Sequence, residues 1–67
     1  MSYGFNVKHV EVECSVVRET DHAWLIDNGS HQVWVPTSQI SETDEDTAGK
    51  VISVYLPEWL AIEKGLV

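Results

Sequence analysis

The chain reads as a mainly β domain (β plus a C-terminal α element): a small four-stranded antiparallel sheet, SH3-like or barrel-like, closed by a short C-terminal helix. Three observations predict this. Apolar residues alternate with period two in VKHVEVECSVV and again in KVISVYLP, as they do in strands with one buried face. Asn28-Gly29 stands between two further apolar runs, a strong short-range hairpin signal. The tail PEWLAIEKGLV carries both start and stop signals of a helix.

Taken in order, residues 1–6 mix Ser, Gly and Asn with aromatics and form an irregular lead-in. The first strand is expected from Val7 to Val17, with Val10, Val12, Cys14 and Val16 on one face and Glu11, Glu13 and Ser15 on the other. RETDH is a polar turn. The second and third strands, Ala23 to Asp27 and Gln32 to Val35, make a hairpin with its tip at Asn28 and Gly29. A tight type I′ turn needs positive φ at both central positions, which Asn-Gly supplies, and Asp27 and Ser30 extend the loop if the turn is longer. Pro36 ends the third strand by removing a ladder donor, and TSQIS makes one tight helical turn.

The run ETDEDTAG reads as a loop, because Glu42, Asp44, Glu45 and Asp46 crowd carboxylates at a density that favours solvent. The fourth strand, Lys50 to Leu56, places Ile52, Val54 and Leu56 on one side and Val51, Ser53 and Tyr55 on the other. The helix follows from Pro57 to Lys64. Proline suits the first turn, Glu58 the positive end, Lys64 the negative end, and Gly65 a left-handed C′ position closed by Leu66. Trp59, Ile62 and Leu66 form one apolar row and Leu56 with Leu60 a second. An arc this wide is expected to clamp onto the sheet and leave part for another contact.

With 67 residues, of which 43% are hydrophobic, the chain is one domain, residues 1–67, with a genuine core. A domain of this size buries only about 60% of its unfolded surface, so self-association into a homo-oligomer such as a homodimer, which adds buried area, is an expected mode. Eleven acidic against four basic side chains give a net charge of -7. That balance argues against nucleic acid and against an anionic membrane as partners, and it leaves a basic protein, or a basic groove, as the electrostatically matched one. Cys14 stands alone, so there is neither an internal disulfide nor a multi-cysteine zinc site, and its expected role is a small buried apolar residue. The N-terminus lacks a signal-peptide apolar run, no stretch reaches the length of a membrane span, and the expected compartment is the cytoplasm.

No catalytic, metal or cofactor motif emerges. His9, His22 and His31 lie on different segments without a helical pair. The acidic run lacks the residue order of a calcium loop. Thr37, Ser38, Ser41 and Thr43 have no base beside them. The tryptophans offer more. The simplest arrangement puts Trp34 and Trp59 in the core, joining hairpin to helix. If Val33 and Val35 face inward instead, Trp34 turns away from them, and the tryptophan on the outer side becomes an interface anchor. Pattern leaves open which face is inward, so Trp24 and Trp34 both stand as candidate partner-binding residues beside Glu42, Asp44, Glu45 and Asp46.

The segment AWLIDNGSHQVWVPTSQISE, followed by PEWLAIEKGL, resembles a family of small uncharacterised proteins of bacteriophages and mobile elements. Trp34, Val35, Pro36, Ser38, Gln39 and Ile40 match its W-V-P-x-S-Q-I motif. Trp59, Leu60, Ala61, Lys64, Gly65 and Leu66 match its closing helix motif. The resemblance covers residues 23–66 and implies a context, a phage or mobile-element protein in a bacterial host cytoplasm; it carries over no activity and no site residues. The leading expectation is a non-enzymatic acidic protein-binding module acting on a host or phage protein. One alternative is an anti-defence nucleic-acid mimic occupying a basic groove. Another is a small-barrel single-stranded nucleic-acid binder, which the net charge disfavours. An enzyme is the least expected class, because so short a chain leaves little room for a preorganised site.

Overall fold

The computed structural model describes residues 8–67, so the expected lead-in and the first residue of the first strand, Val7, lie outside the described residues. The elements are β1 (His9–Glu13), β2 (Ser15–Glu19), β3 (Ala23–Asp27), β4 (Gln32–Pro36), a 3-10 turn (Thr37–Gln39), β5 (Glu42–Glu45), β6 (Val51–Pro57) and α1 (Glu58–Glu63). They form two three-stranded antiparallel sheets, ordered β1-β6-β5 and β2-β3-β4. This replaces the expected single four-stranded sheet. Nor is the barrel closed, because the outer strands β4 and β5 are not paired with each other.

The expected first strand is two strands. Glu13 is aligned with Ser53 in one sheet and Ser15 with Asp27 in the other. Between them Cys14 donates its backbone N–H to the Ile52 carbonyl at 3.1 Å. The inward alternation survives the change of partner: Val10, Cys14 and Val16 pack against the core and Val12 is buried in it. The sequence period therefore runs unbroken through a junction between sheets.

The acidic run contains a strand rather than a loop alone. β5 forms the outer edge of its sheet, where one backbone side needs pairing and charged side chains can stay wet. The remainder is a turn built on Asp46, whose Oδ1 accepts from the backbone N–H groups of Ala48 and Lys50, each at 2.9 Å. The hairpin tip falls at Asn28 and Gly29 within a longer loop, not a type I′ turn, since Gly29 has φ 97° and no non-glycine described residue has positive φ. Asn28 N–H donates to the His31 carbonyl at 3.2 Å, and side chains brace the loop. Asp27 Oδ1 accepts from Gly29 N–H at 2.7 Å, and Asn28 Oδ1 from the N–H groups of Ser30 and His31 at 3.0 and 3.1 Å.

The core comprises Val12, Ile26, Val35, Val54, Leu56, Leu60, Ala61 and Leu66. Both sheets and the helix contribute to it. At about 100° per residue, Leu60 and Ala61 lie on the inner side of α1 and Trp59 and Ile62 on the outer. The last two are 53% and 61% exposed, which corrects the expectation that Trp59 is core. The helix stops as its sequence implies. Leu66 N–H reaches the Ala61 carbonyl at 2.8 Å and Gly65 N–H the Ile62 carbonyl at 3.1 Å, with Gly65 at φ 72°. These are the paired bonds of a Schellman cap. His31 Nε2 donates to the Lys64 carbonyl at 3.2 Å and ties the hairpin loop to this helix end.

Candidate functional site

The antiparallel registers of β1, β6 and β5 assemble two cross-strand rows. Glu11, Tyr55 and Glu42 are aligned in the first, and Glu13, Ser53 and Asp44 in the second. Because alternate residues of a strand share a face, these six stand together on the side of the sheet turned away from Val12, Val54 and Leu56. Each row is a hydroxyl flanked by carboxylates. Ser53 Oγ lies 2.8 Å from Glu11 Oε2 and 3.3 Å from Asp44 Oδ2, so its single proton serves the nearer carboxylate best. Tyr55 donates its phenolic proton to Asp44 Oδ2 at 3.0 Å. Ser53 is the one buried polar residue among those described, and it is satisfied.

This concentration of negative charge acts on Tyr55. Its pKa is pushed up to about 12, first by the hydrogen bond to Asp44, then by desolvation, and further by the charges of Asp44, Glu11 and Glu42. A phenolate there would lose its acceptor and face carboxylates. Burial likewise pushes the Cys14 thiol up, as expected of a half-buried structural cysteine.

The second sheet presents a different outer face. Trp34 is aligned with Leu25, which is aligned in turn with Arg18. Val17 interrupts the register of β2 and stands 46% exposed beside this row. Trp34 is 43% exposed while Val35 is fully buried, which corrects the expectation that Trp34 is core. It also settles which hairpin tryptophan faces out. Trp24 shares the inner side with Ile26 and packs half-buried against the core. Its outer rim lines a groove with Thr37, Ile40, Ser41, Glu42 and Thr43.

Of the six residues singled out from sequence, Glu42 and Asp44 enter the acidic face. Asp46 is occupied in shaping its turn, Glu45 lies at a register shift beside Val51, and Trp24 and Trp34 sit on opposite sides of their sheet. Glu11, Glu13, Ser53 and Tyr55 are not singled out by the sequence, which pairs Glu11 with Glu13 and Ser53 with Tyr55 on one side of their strands but puts Val51 with the latter two, although it packs against the core. Their signal was the alternation itself; what the sequence lacked was the register joining β1 to β5 through β6.

Among the described residues, no group of three or more His, Cys, Asp or Glu side chains could hold a metal ion, and no helix is long and apolar enough to cross a membrane. Comparisons with protein-family models, with curated proteins and with solved structures return no match.

Proposed function

We propose that this protein is a non-enzymatic acidic binding module whose partner is a basic protein, acting on a host or phage protein in a bacterial cytoplasm. One observation carries the reading. Glu11, Glu13, Glu42 and Asp44 occupy a single sheet face, with no lysine or arginine in either cross-strand row. Strands about 4.8 Å apart, with same-face residues about 7 Å apart, crowd these carboxylates into a patch roughly 10 Å across. Such a patch steers cationic partners and raises their encounter rate. The Ser53 and Tyr55 hydroxyls orient Glu11 and Asp44, so the charges are held in place rather than floating on free side chains.

The columns on β1 and β5 run antiparallel to β6 on either side, and two parallel lines of negative charge favour one sharper reading: a nucleic-acid mimic in a basic groove.

The test is retention from bacterial lysate on the immobilised protein, compared with a variant carrying E11Q, E13Q, E42Q and D44N, and with Glu63→Gln as a remote control. The expected result is a basic protein held by the parent and the control, released by rising salt, and lost with the fourfold variant. Displacement of that protein by duplex DNA would support the mimic reading. Equal retention of the same proteins by all three forms would overturn the proposal.

A further inference from the structure

The groove beside Trp24 gives the proposed basic partner a specific point of attachment. It lies between β3, the 3-10 turn and β5, has a volume of about 280 Å³, and is lined by Trp24, Thr37, Ile40, Ser41, Glu42 and Thr43. That volume falls just below the range of about 300–1,000 Å³ for ligand pockets, which suits one side chain better than a cofactor. Its apolar wall is firm, because Trp24 and Ile40 both pack against the core. Its charge is of one sign: among the described residues, Glu42 is the only ionisable one in the lining. Glu19 of β2 is aligned with Trp24 across the β2–β3 ladder, on the strand beyond the groove's lining. Ser41 is fixed at the rim, its N–H and its Oγ both donating to the Tyr55 carbonyl, at 2.9 and 3.2 Å.

An aromatic wall with a carboxylate at its side is complementary to a long cationic side chain. The aliphatic stem would cover Ile40 and the indole, and the head would meet the ring quadrupole and Glu42. An uncharged apolar side chain would gain only the first of these contacts, and an acidic one would be repelled. We infer that the groove at Trp24 receives a lysine or arginine side chain of a basic protein partner. This rests on the reading of the partner as basic and narrows it to one anchoring residue.

The test uses a background with Trp34→Phe and Trp59→Phe, so that Trp24 is the sole tryptophan, titrated at low ionic strength with tetralysine and with tetraglutamine. Calorimetry runs in parallel. The expected result is a saturable change in Trp24 fluorescence with tetralysine and none with tetraglutamine. Glu42→Gln should weaken the affinity about fivefold, the scale of one well-placed surface charge pair, while Glu63→Gln changes it little. Calorimetric binding of tetralysine with silent Trp24 fluorescence, or equal losses from Glu42→Gln and Glu63→Gln, would overturn the groove and leave the basic-partner reading standing. Absence of tetralysine binding by calorimetry would overturn both.

Discussion

Tyr55 on β6 donates its phenolic proton to Asp44 on β5 at 3.0 Å, a diagonal bond across the ladder in which Tyr55 is aligned with Glu42 and Asp44 with Ser53. It fastens the acidic edge strand to the central strand of its sheet. It also draws a phenol and a carboxylate on the wet face into one charge-assisted contact.

The first prediction follows from that bond. In a Tyr3→Phe background, spectrophotometric titration of Tyr55 should show a midpoint of about 12 instead of 10.0, and Asp44→Asn should lower it. The folded state holds this proton more tightly than the unfolded chain. The resulting stabilisation is therefore complete below pH 10.0 and is lost as pH rises toward about 12. A midpoint unchanged by Asp44→Asn would refute the contact.

The helix should respond unequally to truncation. Leu60 is 4% exposed and Trp59 53%, so Leu60→Ala should cost about 2–5 kcal/mol. Trp59→Ala should cost no more than about 0.5 kcal/mol. Thermal or urea melts of the two variants check this, and the reverse order would show that the helix is rotated about its axis.

Gly65 should resist substitution for a backbone reason. At φ 72° an alanine is strained by roughly 1–2 kcal/mol, and its Cβ would stand 3.4 Å from His31 Nε2. Denaturant midpoints for Gly65→Ala should fall accordingly, and an unchanged midpoint would contradict the left-handed cap.

Much of this architecture was legible. The hairpin strands, the 3-10 turn, the C-terminal helix and its glycine cap all depend on neighbours in sequence, where turn chemistry and fixed dihedrals act directly. What sequence did not reveal depends on pairing. Cys14 keeps the alternation of its strand while the partner changes from β6 to β3. Glu42, Asp44 and Glu45 have poor intrinsic strand preference and join a strand because β6 offers a free edge. Alternation puts Ile52 on the same side as the buried Val54, yet the register shift opposite Asp44 and Glu45 leaves it 47% exposed. The acidic face is itself a product of register, since Glu11 and Glu42 are 31 positions apart in the chain and meet only through Tyr55.

Trp34 should matter for contact and little for folding. Its ring lies on the outer face with Leu25, so Trp34→Ala should melt near the parent while raising the dissociation rate of a partner that covers this face. Surface plasmon resonance against the protein retained from lysate measures the second effect. An unchanged dissociation rate would remove this face from the interface.

The most direct test of the account is the association rate of that retained protein, measured at two salt concentrations with the parent and with the combined E11Q, E13Q, E42Q and D44N variant. Charges on an interface act chiefly on encounter and are screened by salt. The expected result is slower association for the variant at low salt and a flattened salt dependence, with little change in dissociation. Identical association rates at both salt concentrations would contradict the claim that this sheet face recognises the partner.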